Sequence, residues 1–339
     1  MQRTSISWCD YSSNPLYAEA DGQRGWYCTK VSRGCRNCYA ETLNLRFGNG
    51  VPYTEANRGR VTWKLRESEF AAWARLKTPS RIFVCDMTDW CHEDIDVKAL
   101  QMIWGVMAAC HWHTFMLLTK RPERMRALLT DEDFQFHIGW FQSAFEREYD
   151  LPRDVAPTGC PNVMLGVSVE DQETADERIP LLLETPAARR FVSYEPALGP
   201  VDFDQYLEAV TDGDWIHHAF EGKWDEGLAK ATGRGGPYCT QCGGREPNVL
   251  HKPHDDEYCG GDCDRGDSGG RMRVLVPRLD LVIVGGESGP HHRPLDLAWV
   301  RALREDCRLV GVPWHGKQDA GVRPGKPLPG DLGDQEMPR

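Results

Sequence analysis

Six short apolar runs fix what this chain can become. They are RIFVCDMTD (81–89), TFMLLTKR (114–121), VMLGVSVED (163–171), RRFVSYEP (189–196), LVIVGGESG (281–289) and the weaker VPWHGKQ (312–318). Each is rich in β-branched or large apolar residues and does not alternate with polar ones, the pattern of strands buried on both faces of a parallel sheet. Helical patterns lie between them. Ile95, Ala99, Met102, Ile103, Val106, Met107 and Cys110 recur on one helical face, Pro122 stands where a helix can start, and Leu297, Val300, Leu303 and Cys307 form another stripe. Alternation of strand and helix predicts an α/β fold, and about six such units favour a (β/α) TIM-type barrel, partial or irregular, over an open sheet. The runner-up, a doubly wound sheet, would place a Gly-rich phosphate turn after the first strand, and none is present.

The rhythm breaks at 203–275, where Gly, Asp and His dominate and four cysteines appear. The expected organisation is therefore a barrel from 1–202 and 276–320, an inserted cysteine-rich module at 203–275, and a loose tail at 321–339.

Every apolar run ends in polar side chains: Asp86 and Asp89; Thr119, Lys120 and Arg121; Ser168 and Glu170; Tyr194 and Glu195; Glu287 and Ser288; Lys317 and Gln318. In a parallel barrel these ends converge on one mouth, where barrel enzymes keep their active sites. Glu170, Glu195 and Glu287 are candidate general bases. Lys120, Lys317 and Arg121 can bind a phosphate or carboxylate, Arg121 bidentately, or neutralise the carboxylates opposite. Gly285 and Gly286 let backbone approach a ligand closely, or form an ordinary tight turn.

The second constellation is Cys28, Cys35 and Cys38, spaced Cys-x6-Cys-x2-Cys ahead of a helical stretch ending at Gly48. No apolar window is long enough to span a membrane, and the N-terminus lacks a basic start followed by an apolar run, so a cytoplasmic location is expected. There, thirteen cysteines read as core residues, ligands or catalytic groups rather than disulfides. Three clustered thiols fit a [4Fe–4S] cluster with one iron left open, or a zinc site completed by Cys9 or Cys91. Cys239, Cys242, Cys259 and Cys263 form two close pairs, the spacing of a structural zinc knuckle or ribbon. The net charge of -11 excludes a uniformly basic nucleic-acid-binding surface and leaves room only for a local patch.

The blocks CTKVSRGCRNCYAE, FVCDMTDWCHEDI, FMLLTKRPERM, MLGVSVEDQETADERIP, RRFVSYEPALGPV, LVIVGGESGPHHRP and VPWHGKQ, taken in order, resemble the phage-associated three-cysteine protein family, a bacteriophage domain of unknown function. That family looks like a distant relative of radical S-adenosylmethionine (SAM) barrel enzymes. The resemblance implies that Cys28, Cys35 and Cys38 hold a [4Fe–4S] cluster and that Gly285, Gly286, Glu287 and Ser288 correspond to a SAM-contacting turn. Two departures are visible: the first cysteine gap is six residues rather than three, and the Gly-Gly-Glu turn follows a late strand rather than the second. The expected function is an iron–sulfur enzyme, radical-SAM-like, acting on nucleic acid or a nucleotide with an external electron donor. The alternatives are a non-catalytic iron–sulfur and zinc protein that binds nucleic acid or a host protein, and, last, a zinc hydrolase.

Overall fold

The computed structural model describes residues 1–152, 160–203, 206, 279–323 and 325–338. Eight strands form one sheet in the order β1 (Gln2–Arg3), β2 (Tyr11–Ser13), β6 (Arg81–Val84), β7 (Thr114–Thr119), β8 (Val163–Val169), β9 (Arg189–Tyr194), β10 (Leu281–Gly285) and β11 (Trp314–Gln318). All adjacent pairs from β2 to β11 are parallel, and β1 alone runs antiparallel. A small antiparallel sheet, β4 (Gln23–Gly25), β3 (Leu16–Ala20) and β5 (Thr62–Leu65), is inserted between β2 and β6. All six apolar runs are strands. β2 escapes a hydrophobic reading because its buried residues are serines; Ser13 is satisfied by donating to Glu69 Oε2 at 2.5 Å.

The helices are α1 (Tyr39–Phe47), α2 (Glu67–Arg75), α3 (Val97–Ala109), α4 (Pro122–Thr130), α5 (Glu132–Tyr149), α6 (Gln172–Glu184) and α7 (Leu297–Val310). Aspartates start four of them: Asp96, Asp131, Asp171 and Asp296 each accept a backbone N–H from the first turn, satisfying donors that a helix leaves free. Strand order follows chain order from β6 to β11, so right-handed crossovers carry successive helices to one face. On that face Ile82, Val84, Leu117, Val167, Val192 and Val282 join the helices in the main core. On the other face Phe83, Met116, Met164, Phe191, Leu281 and Ile283 close around Trp8, whose ring centroid lies 4.5 Å from that of Phe83. Both faces are buried, which is why these runs carry no polar alternation.

The expected TIM-type barrel is not what forms. The sheet is an open, curled half-barrel, because both edges are taken by other partners. β1 is a two-residue antiparallel strand that ends the ladder beyond β2. The outer edge of β11 pairs antiparallel with the C-terminal segment: Gly316 N–H donates to Asp334 O at 2.8 Å, Glu336 N–H donates to Trp314 O at 2.7 Å, and His315 bridges Gln335. Leu328 and Leu332 of this segment, read from sequence as a loose tail, are buried. Strand edges blunted in this way cannot find each other. The expected inserted module at 203–275, with Cys239, Cys242, Cys259 and Cys263, lies outside the described residues except for Phe203 and Tyr206.

Two helical glycines test the helical layer. A Cβ on Gly105 would lie 2.6 Å from Phe141 Cβ and 2.8 Å from Gln142 N, where α3 crosses α5, whereas one on Gly139 would meet nothing within 4 Å. Gly105→Ala should destabilise the fold by about 1–3 kcal/mol through overpacking. Gly139→Ala should stabilise it by about 0.5–1 kcal/mol through helix propensity. Urea unfolding of both variants checks the contrast, and equal effects would contradict the close crossing.

Candidate active site at the carboxyl edge of the sheet

The three-thiol loop is laid across the carboxyl ends of the parallel strands. At the end of β7, Arg121 donates to Thr29 O (3.2 Å) and Thr29 Oγ1 (2.6 Å) and lies 3.7 Å from Cys28 Sγ. At the end of β8, Ser32 Oγ donates to Glu170 Oε1 at 3.0 Å. A Cβ on Gly34 would run into the Glu170 carboxylate, so glycine is what allows the 3-10 turn Arg33–Cys35 to seat there. Beyond β10, Asn37 Nδ2 donates to Glu287 Oε2 (3.0 Å) and to His291 O (2.8 Å). Beyond β6, Tyr39 O–H donates to Asp86 O. Helix α1 then leaves the site from Cys38.

Beneath the loop the carboxylates are paired. Glu170 is fully buried and takes Lys120 on one side and Arg178, at 3.3 Å, on the other. Lys317 meets Glu195 at 2.6 Å. Arg293 grips Glu287 through its backbone N–H (2.8 Å) and its guanidinium (2.6 Å). Burial would raise the Glu287 carboxyl, but the Arg293 and Asn37 hydrogen bonds outweigh it and hold it below the ordinary carboxylate value. Asp86 goes the other way: burial raises it despite a 2.5 Å hydrogen bond from Asn14. Asp89 accepts from Thr119 Oγ1, Lys120 N–H and Arg121, and Glu93 takes the Arg121 Nε at 2.8 Å. Arg121 is therefore committed to the loop and its carboxylates. Burial, with Asp89 adding to it and Arg121 opposing, pushes the Cys28 thiol up to about 12; burial also raises Cys38.

The sequence-derived residues Lys120, Arg121, Glu170 and Glu287 come together around the loop, with the Glu195–Lys317 pair at the ends of β9 and β11. The close approach at the glycine pair is to the chain itself. Gly286 N–H donates to Gln318 O at 2.8 Å, and a Cβ there would lie 2.7 Å from Ala320 Cα. One on Gly285 would touch Glu195 Cδ at 3.2 Å. Ser288 bridges Gly321. Sequence reading missed the buried Arg178 and the half-buried Arg293. The signal was slight: Arg178 stands eight residues after Glu170, on a helix entered through the Asp171 cap.

The expectation of a ready-made metal centre is overturned. No group of three or more His, Cys, Asp or Glu among the described residues is placed to hold a metal ion. Cys28, Cys35 and Cys38 are free thiols, not an assembled iron–sulfur ligand set. Each of the first two has its own neighbour: Cys28 reaches Thr29 O at 3.5 Å, and Cys35 lies 3.8 Å from Ser32 Oγ. No helix among the described residues is long and apolar enough to cross a membrane.

No curated protein and no solved structure matches the chain. One family does, over residues 3–327, a span that includes the thiol loop and every strand end described above. The chain belongs to the family described as protein of unknown function (DUF5131).

Proposed function

We propose that the carboxyl-edge site is the active centre of a radical-SAM-like enzyme acting on a nucleic acid or nucleotide, with an iron–sulfur cluster taken up by Cys28, Cys35 and Cys38. The observation that carries this reading is a single loop bearing three free thiols, tied to the ends of four parallel strands above buried charge pairs. The donor set fits the cluster: thiolates hold such clusters, Arg121 stands ready to donate to the Cys28 sulfur, and Ser32 Oγ lies 3.8 Å from Cys35 Sγ. The thiols must turn toward one another and lose their protons on loading, since their unligated arrangement is not a metal site. Once bound through three thiolates, a cluster offers one open iron and an electron for cleaving a sulfonium C–S bond.

The protein's own groups set the surroundings. Glu170, Lys120 and Arg178 fix the loop's floor, and Arg121 neutralises charge beside Cys28. Glu195 and Lys317 form the pair with the fewest further ties, so a substrate or SAM carboxylate could take Lys317 from Glu195. The Gly285–Ser288 turn carries Glu287, whose tie to Asn37 couples that turn to the thiol loop. Cys239, Cys242, Cys259 and Cys263 complete the reading as a structural zinc site, and an external protein or chemical donor supplies the electron.

Two measurements test this. In the metal-free protein, alkylation of Cys28 should accelerate about tenfold per pH unit from pH 7 to 10, because only the thiolate reacts. A rate that bends at pH 9 and levels off by pH 10 would place the thiol at its ordinary value of 9.0 and contradict its buried setting. Anaerobically purified protein should contain iron and sulfide, and on reduction with SAM should release 5′-deoxyadenosine. Cys35→Ala should abolish the iron while sparing zinc. Zinc without iron in the wild type would sink the reading.

A further inference from the structure

The segment from Gln23 to Gly48 carries Arg24, Lys30, Arg33, Arg36 and Arg46 against Glu41 alone, in a chain whose net charge is -11. Lys30 is spent on Glu41 at 2.7 Å. Arg33 is 72% exposed in its loose contact with Asp171, a solvated pair worth little. Arg36 and Arg46 are exposed and form no ion pair with a carboxylate among the described residues. The same surface carries apolar side chains that the fold does not cover. Ala40 and Asn44 turn α1's inner face into the protein. Tyr39, Leu43, Arg46 and Phe47, at helical spacings of three, four and seven, share the outer flank. Phe47 is 67% exposed and Tyr39 48%, and the Arg46 guanidinium lies 4.7 Å from the Phe47 ring centroid. This flank begins one residue after Cys38, so it leads directly into the thiol loop.

Exposed aromatic rings interleaved with exposed arginines make a surface on which unstacked bases can lie while phosphates meet the cations. A duplex hides the faces of its bases and cannot use Tyr39 and Phe47 in this way. We infer that the outer flank of α1, with Arg33 and Arg36 of the thiol loop, is a binding platform for single-stranded nucleic acid. Tyr39 and Phe47 stack bases, and Arg33, Arg36 and Arg46 take phosphates. The inference rests on the proposed function for the class of substrate and on this surface for its single-stranded form.

The test is fluorescence anisotropy of a labelled mixed-sequence single-stranded DNA titrated with the full chain, without reductant or SAM, so that it can fail independently of deoxyadenosine release. Binding should weaken between 50 and 200 mM salt, as phosphate contacts require. The matched duplex should bind more weakly. Phe47→Ala should lose roughly 5- to 150-fold in affinity. Arg36→Ala and Arg46→Ala should each reduce the log–log salt slope by about 0.7. Phe47 is exposed enough that its removal should leave the melting temperature unchanged, which keeps the test interpretable. No binding, equal affinity for the duplex, or a Phe47→Ala variant that binds like wild type would overturn the inference. So would a Phe47-dependent dimer in sedimentation, which would assign the face to a second copy of the chain.

Discussion

The carboxylate of Glu170 is the point on which the site is built. It is fully buried, and burying a charge is costly unless ion pairs and hydrogen bonds replace the lost water. Lys120 from the end of β7, Arg178 from α6 and Ser32 from the thiol loop supply them. The same residue anchors the chain through its backbone: its N–H donates to Thr174 Oγ1 and its carbonyl accepts from Leu198. One side chain thus joins two strand ends, a helix and the loop, and Gly34 is the residue that lets the loop come down onto it. Removing one partner from a buried pair of this kind costs about 3–5 kcal/mol. The arrangement therefore holds the loop in place before any ligand arrives.

The openness of the sheet follows from what occupies its edges. A closed barrel needs its first and last strands to pair with each other. Here β1 is too short and runs the wrong way, and β11 gives its free edge to the segment around Gln335. Closing the ladder is not required for convergence of the strand ends, because curling and consecutive strand order already bring β6 through β11 around one side. Trp8 and the apolar side chains of the concave face fill the interior that a closed barrel would pack in layers.

Much of this was legible because burial on both faces writes itself into sequence as continuous apolar runs. Each of the six runs is a strand, and Pro122 opens α4 at the predicted place. Barrel closure was not legible, since it depends on edge pairing rather than on any strand's own composition. β2 was missed because Ser12 and Ser13 are buried through hydrogen bonding and fit, not hydrophobicity. At the site, the polar strand ends were visible, but their pairing was not: whether Lys120 faces Glu170 and Lys317 faces Glu195 depends on register and crossover geometry. The thiol spacing pointed to shared ligation, whereas the folded loop spends two sulfurs on local neighbours.

That last difference has a physical basis. A neutral thiol is a weak hydrogen-bonding group with no reason to approach another, and burial keeps Cys28 and Cys38 neutral by penalising the thiolate. Convergence of the sulfurs requires a cation to replace their protons. The anchors of the loop do not depend on the sulfurs: Thr29, Ser32, Gly34, Asn37 and Tyr39 are what hold it to the strand ends. The cysteine side chains can therefore rotate without undocking the backbone that carries them. Arg121 lies close enough to Cys28 to offset the charge that deprotonation creates.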